Sequence, residues 1–130
     1  MTEIFHLSLP VRDLDRSREF YETVLRATVG RVTDTWLDVW VFGAQVTLQQ
    51  SPPHAERPAS GRRFHLGGTL SWEQWRQERD RLQAMGAEFA GAPVIDEEKG
   101  QAKLYLNDPD GVMIELKAYR DIEKTLQPPR

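Results

Sequence analysis

The tripeptide Phe5-His6-Leu7 recurs as Phe64-His65-Leu66, and around each copy the residue pattern runs through the same order of elements. One shared tripeptide is chance. A shared order of elements reads as a duplication, which constrains the chain to two equivalent layers. In the first half, Ile4, His6, Ser8 and Pro10 alternate with Phe5, Leu7, Leu9 and Val11, the period of a strand over Glu3 to Val11. Asp13 can cap a helix from about Leu14 to Leu25, whose Phe20, Tyr21, Val24 and Leu25 fall at helical spacing. A weak strand over Thr28 to Thr33 comes next. Trp36 to Phe42 then alternates strictly, Gly43 turns the chain, and Gln45 to Gln50 returns as a hairpin partner.

SPPHAERPASG, from Ser51 to Gly61, carries three prolines and predicts a linker without regular structure. In the second half, Ser71-Trp72-Glu73-Gln74 fits a capping box, Trp72, Trp75, Leu82 and Met85 keep helical spacing, and Gly86 suits a left-handed stop. The pattern continues with a weak strand (Ala87 to Val94), an acidic loop (Asp96 to Gly100) and a strand from Ala102 to Leu106. The turn Asn107-Asp108-Pro109-Asp110-Gly111 leads to a last strand, Val112 to Tyr119. The expected organisation is α+β: tandem βαβββ modules at residues 1–50 and 63–119, a linker at 51–62 and a polar, peripheral tail at 120–130, in one compact domain.

Composition narrows the function classes. A chain of 130 residues that is 39% hydrophobic builds one core or two small ones. Seventeen basic against 20 acidic residues, net charge −3, leave no basic excess for neutralising phosphates, so nucleic acid is not an expected partner. The absence of cysteine excludes disulfide scaffolds, thiolate zinc sites and a cysteine nucleophile. No run approaches about 20 apolar residues, and the start MTEIFHLSLPVRD lacks a basic segment followed by an apolar one. The expectation is a cytoplasmic protein that meets no membrane.

Sorting strand residues by parity gives an aliphatic face of Leu7, Leu9, Leu37, Val39, Val41, Val46, Leu48, Leu66, Leu104, Leu106, Ile114 and Leu116, suited to lie under the helices. The opposite face carries His6, Ser8, Trp36, Asp38, Trp40, Thr47, Gln49, His65, Thr69, Lys103, Tyr105, Met113, Glu115 and Lys117. A merely solvated face would favour Lys, Glu and Thr; histidines and aromatics predict a concave surface that binds a small molecule. His6, His65 and Glu115 stand on that face of three strands, the histidines at repeat-related places. Two imidazoles and a carboxylate suit a divalent metal of intermediate softness and leave positions open for substrate. Singly, each has a blander reading: a strand histidine is most often structural, and Glu115 alone would be a charge on a half-exposed strand. His54 reads as a loop residue, and Trp72 and Trp75 as helix packing.

The run HLSLPVRDLDRSREFYETVL resembles the opening of the vicinal oxygen chelate superfamily (glyoxalase, bleomycin-resistance and extradiol dioxygenase proteins): a strand histidine, a valine-x-aspartate-leucine turn, and a helix bearing Phe-Tyr. NDPDGVMIELKAY is similar to its closing hairpin, in which Asp-Pro-x-Gly precedes a strand holding the ligand glutamate. The resemblance covers nearly the whole chain. It implies an incomplete barrel around a metal and substrate cavity, a homodimer that assembles its cavities from paired modules, and His6, His65 and Glu115 as ligands.

Departures from the family pattern shape the expected activity. Isomerases and epimerases of the family usually carry a fourth ligand, often Glu, on the last strand of the first module. Pairing Gly43 with Gly111 places Thr47 opposite Glu115, while Gln49, on the same face, is the better fourth ligand chemically; neither is a base at neutral pH. The glutathione-dependent glyoxalases resemble one another in an arginine four residues after the first histidine, where this chain has Pro10, and the glycine that often ends the first helix is Arg26 here. What remains is a two-histidine, one-carboxylate set of the kind found in non-haem iron oxygenases. The expected activity is therefore dioxygenase-like. A divalent metal, Fe2+ or Mn2+ ahead of Zn2+, Ni2+ or Co2+, would bind neighbouring oxygens of a catechol or hydroxy-keto compound, with a position for dioxygen. Trp36, Trp40 and Thr47 would hold the substrate, joined by Tyr105, and Lys103 or Lys117 would stabilise its charge. Two alternatives stand beside this: a metal-free, drug-sequestering protein of bleomycin-resistance type, and a glyoxalase I-like lyase or epimerase. On the bland side, Trp36 and Trp40 would merely fill space and the two lysines be solvated.

Overall fold

The computed structural model describes residues 3–56 and 61–129. The elements in chain order are β1 (His6–Val11), α1 (Leu14–Glu19) continued by a wider turn (Phe20–Val24), β2 (Thr28–Val32), β3 (Trp36–Val41), β4 (Ala44–Gln50) and α2 (Pro52–Ala55). After a short 3-10 turn (Gly61–Arg63) come β5 (His65–Leu70), α3 (Trp72–Ala84), β6 (Val94–Asp96), β7 (Gln101–Asn107), β8 (Met113–Tyr119) and α4 (Ile122–Leu126). Each half is thus a βαβββ module, and the class is α+β. The first sheet has the order β1-β4-β3-β2 and the second β5-β8-β7-β6, with one parallel pair (β1 with β4, β5 with β8) in each. The chain divides into two compact units, Met1–Arg63 with Asp108–Val112, and Phe64–Asn107 with Met113–Arg130.

In the first unit, Leu9, Val11, Leu37, Val39, Val41, Val46 and Leu48 are buried together with Leu14 and Tyr21 of the helical segment. Burying each such side chain fully is worth about 1.5–3 kcal/mol. Asp13 caps α1 by accepting from the Asp15 and Arg16 amides. After Glu19 the winding loosens, so that the Leu25 amide reaches back to the Phe20 carbonyl and the Ala27 amide to that of Tyr21. The helix ends at Arg26 in the left-handed region, φ 57°, a conformation that a Cβ opposes.

The Asp108–Val112 turn explains Tyr21. Its hydroxyl donates to Asp108 Oδ2 at 2.9 Å, while Asp108 Oδ1 accepts from the Asp110 and Val112 amides, each at 2.9 Å. Asp110 in turn accepts from the Arg12 amide at 3.1 Å and the buried Ser17 hydroxyl at 3.4 Å. The Asp-Pro-Asp-Gly turn is therefore a clamp on the end of β1 and on the first helix. Burial is the main influence on the Asp108 carboxyl, with the neighbouring Asp110 charge acting the same way; together they outweigh these hydrogen bonds and lift it above the usual carboxylate range.

In the second unit, α3 starts with the expected capping box, Ser71 Oγ accepting from the Gln74 amide and Gln74 Oε1 from the Ser71 amide. Its Trp75 and Leu82 are buried, as are Leu104, Leu106, Ile114, Leu116 and Ala118 of the strands. The Trp75 indole N–H donates to the Leu116 carbonyl at 2.8 Å, which ties α3 to β8. Trp72, by contrast, lies under the Arg120 guanidinium, 4.2 Å from the ring centroid.

Two expectations need correction, and two gain detail. The proline stretch is not wholly irregular: Pro52 and Pro53 occupy the first two positions of α2, where an amide would have no partner anyway, and His54 lies on that turn with Nδ1 2.7 Å from Ser51 Oγ. Residues 57–60 of that stretch lie outside the described residues. Ala87 to Val94 is not a strand; it makes an isolated bridge, Phe89 with Leu106, and pairing resumes only at Val94–Asp96. The tail forms α4, capped by Asp121 accepting from the Lys124 amide. The first helix is α-wound only to Glu19. No described helix is long and apolar enough to cross a membrane.

Candidate functional site

The registers show which residues are equivalent in the two modules. In the parallel pairs, His6 faces Gln45 and Ser8 faces Thr47, as His65 faces Met113 and Gly67 faces Glu115. Both histidines are the first residue of their strand, and Thr47 occupies the place of Glu115. Across the antiparallel pairs, Asp38 faces Thr47 and Trp36 faces Gln49, as Tyr105 faces Glu115 and Lys103 faces Lys117. The same backbone thus carries two different sets of side chains.

In the second unit, His65 Nε2 lies 3.3 Å from Glu115 Oε1, at a cleft of about 180 Å³ lined by His65, Gly67, Thr69, Glu115 and Lys117 among others. Glu115 is buried and His65 exposed. Two donors bound to adjacent positions of one first-row metal at about 2.0–2.2 Å stand about 3 Å apart, so this pair fits a shared ion. Gly67 lets β5 approach: a Cβ there would fall 1.7 Å from the Glu115 carbonyl oxygen. Tyr105 stands edge-on to the His65 ring, centroids 6.4 Å apart. Lys103 and Lys117 are half-buried cross-strand partners one row along the sheet, and Lys117 Nζ lies 5.7 Å from the Tyr119 ring centroid.

In the first unit, His6, Ser8 and Gln49 are exposed, and Gln49 Nε2 donates to Ser8 Oγ at 2.6 Å. Thr47 is buried and its hydroxyl donates to Asp38 Oδ1 at 2.7 Å. Trp36 is half-covered by Arg31, whose guanidinium sits 5.0 Å from the ring centroid, and Trp40 is exposed. Of the four metal candidates, the structure brings His65 and Glu115 together. Among the described residues no group of three or more His, Cys, Asp and Glu side chains is placed to hold a metal ion.

The pattern reading placed Asp38 on the polar face without giving it a role, and passed over Arg31. Arg31 Nε donates to Asp38 Oδ2 at 2.6 Å. Burial works against the ionised Asp38, but the hydrogen bonds of Arg31, Thr47 and Gln45 outweigh it and hold the carboxyl below its usual range. The available signal was the acid itself, central in the alternating run Trp36-Leu37-Asp38-Val39-Trp40.

Comparison with known proteins adds three findings. No curated protein matches the chain significantly. Many solved structures share the fold. They include a glyoxalase/bleomycin resistance protein/dioxygenase from Alicyclobacillus acidocaldarius (TM-score 0.80, 24% identity, 95% of this chain and 96% of that one) and a glyoxalase/dioxygenase from Nostoc punctiforme (0.71, 22%, 92% of each). The fosfomycin resistance protein FosX from Listeria monocytogenes is similar as well (0.73, 17%, 91% and 93%). The sequence profile of one family spans residues 3–116, and with it the chain belongs to the Glyoxalase/Bleomycin resistance protein/Dioxygenase superfamily.

Proposed function

We propose that this protein is a divalent-metal-dependent enzyme that binds a small substrate through two neighbouring oxygens, with dioxygenase-like chemistry. The observation that carries the reading is the His65–Glu115 pair, 3.3 Å apart at the edge of an open cleft, with a second histidine, His6, at the register-equivalent place of the other module. His6, His65 and Glu115 would hold the metal, Fe2+ or Mn2+ by preference, in a homodimer that pairs the first-module face of one copy with the second-module face of the other. When bound, the metal supplies Lewis acidity toward the substrate oxygens.

The remaining roles belong to side chains. Glu115, buried and acceptor-only, is a charged donor that an adjacent cation stabilises. Tyr105, edge-on to His65, orients a planar substrate beside the metal donors. Lys103 and Lys117 face one another directly across β7 and β8, an arrangement of like charges that is unfavourable in an empty sheet and favourable beside an anion. They would balance the negative charge of a deprotonated substrate. Gln49, held by Ser8, offers an amide oxygen as a further neutral ligand.

The test is elemental analysis of protein purified without chelator or affinity-tag metal, for wild type, a His6→Ala/His65→Ala pair and Glu115→Gln. Near-stoichiometric iron or manganese, lost in the variants, is the expected result and leads to oxygen-uptake assays on catechols. Zinc or nickel would favour the lyase or epimerase reading. Protein that neither carries nor takes up Fe2+, Mn2+, Zn2+, Ni2+ or Co2+ would overturn the proposal in favour of a ligand-sequestering protein, a reading that the exposed Trp40 also suits.

A further inference from the structure

Between β2 and β3 the register slips. Thr28 faces Trp40 and Val29 faces Val39, but the next pair is Val32 with Leu37, so Gly30 and Arg31 together stand opposite Asp38. A regular ladder would set Gly30 against Asp38 and Arg31 against Leu37, on the aliphatic side with its buried leucine. The bulge turns Arg31 to the other face instead, a device found where a strand must re-aim a side chain. There the guanidinium meets two groups, and a third fixes one of them. Asp38, 2% exposed, accepts from Nε at 2.6 Å; Trp36 lies beneath at 5.0 Å; and Thr47 fixes the second Asp38 oxygen at 2.7 Å. Arg31 itself remains 69% exposed, and among the described residues Asp38 is its only carboxylate partner.

An exposed arginine whose Nε is bound by a buried, doubly bonded carboxylate, and whose plane rests on an indole, has lost most of its rotamer freedom before any ligand arrives. Its Nη1–Nη2 edge is then a preformed fork for a planar oxyanion. Two residues along β3 from Asp38, about 6.8 Å away, stands Trp40. Its Nε1 would lie 3.1 Å from a Cβ at Gly30, so the indole is seated against the glycine backbone, and it is 42% exposed. We propose that Arg31, re-aimed by the bulge and positioned by Asp38, binds the carboxylate of a planar aromatic acid whose ring lies against Trp40. The site uses none of His6, His65 and Glu115, so it is tested apart from metal binding. Asp38 acts in it as a positioning residue.

The test titrates 2-naphthoate into the full-length protein, with and without prior metal removal, read by calorimetry and tryptophan emission, with uncharged 2-naphthamide as comparator. Saturable naphthoate binding is expected, weakened about tenfold or more by Arg31→Gln, the loss expected for hydrogen bonds to a charged group. Arg31→Lys restores only part of it, because an ammonium lacks the fork. Asp38→Asn, with Arg31 retained, weakens naphthoate and leaves naphthamide unchanged, a split that a purely structural role would not produce. If Asp38→Asn fails to fold, the exposed Arg31→Gln decides alone. Equal binding of naphthoate and naphthamide, naphthoate affinity indifferent to Arg31→Gln, or no saturable binding at all would each overturn the proposal.

Discussion

Gly67→Ala probes the closest approach in the candidate metal cleft. A Cβ on residue 67 would sit 1.7 Å from the Glu115 carbonyl oxygen, 2.7 Å from its carbon and 2.9 Å from its amide nitrogen, all backbone atoms of a central strand that cannot rotate away. Ordinary contact begins at 3.4 Å, so lengthening the 1.7 Å contact to that distance requires β5 to retreat from β8 by roughly half of 3.4 Å. Backbone hydrogen bonds near 2.9 Å do not survive such an opening. Two ladder bonds flanking the pair would be lost at about 1 kcal/mol each, and residual overpacking adds about 1–2 kcal/mol. The lower entropy of the unfolded alanine chain returns about 0.5 kcal/mol. The net expectation is a destabilisation of about 2–4 kcal/mol, read as a lowered urea midpoint and a thermal midpoint reduced by about 8–16 °C. Thr69→Ala, two residues on and exposed, serves as control and should stay within about 0.5 kcal/mol of wild type. Because the clash falls on Glu115, the metal uptake proposed for the cleft should drop in Gly67→Ala as well. A Gly67→Ala protein as stable as wild type would refute the close approach and with it the placement of Glu115 against β5.

The two perturbed aspartates should give opposite pH signatures in urea titrations. Asp38 is depressed in the folded state, so its stabilisation is full above the ordinary carboxylate value of 3.8 and is lost as pH falls through its lower folded value; Asp38→Asn removes that acid loss. Asp108 is raised, so its contribution is fullest below 3.8 and declines as pH rises through its higher folded value; the stability of wild type relative to Asp108→Asn should fall over that window and then level. Arg26→Gly should stabilise the protein by about 0.5–1 kcal/mol, because glycine accepts the left-handed helix end at φ 57° that arginine resists; an unchanged urea midpoint would argue against that conformation. Trp75→Phe should cost about 2–4 kcal/mol through the lost bond to Leu116 and the void it leaves, measured by thermal unfolding, with no comparable effect from Trp72→Phe.

Patterns that are local in the chain were legible in the residues. Period-two runs such as Trp36–Val41 and Gln101–Asn107 place their aliphatic side chains where parity puts them, and Ser71-Trp72-Glu73-Gln74 makes the capping box its spacing allows. Long-range effects were not legible. The carboxylates of the Asp108–Asp110 turn belong by position to a hairpin, yet they bond Tyr21, Ser17 and Arg12, a destination that no periodicity announces. Pro52 and Pro53 look like breakers in composition and act as a helix start, because the two readings differ only in where the next residues go. The bulge at Gly30–Arg31 is hidden for a related reason: one extra residue inverts the facing of every later side chain in the strand, and only the partner strand reveals it.

The duplication predicts equal chemistry at equal registers, and the structure shows equal registers with divergent chemistry. Thr47 holds the place of Glu115 but presents a hydroxyl, which donates to a carboxylate on the adjacent strand. A carboxylate is therefore present beside the position where the first module lacks one, on the adjacent strand at Asp38. The two carboxylates differ in capacity. Glu115 stands against an imidazole at 3.3 Å beside a cleft, open to share a cation with it. Asp38 has both oxygens taken by Thr47 and Arg31 and is held ionised by them, so it is a poor proton acceptor and a good counter-ion. The same registers thus carry a histidine against a glutamate in the second module and an arginine held by an aspartate in the first. The proposed metal uptake rests on the one set and the proposed carboxylate binding on the other, so Glu115→Gln should abolish the first and leave naphthoate affinity unchanged, and Arg31→Gln should do the reverse.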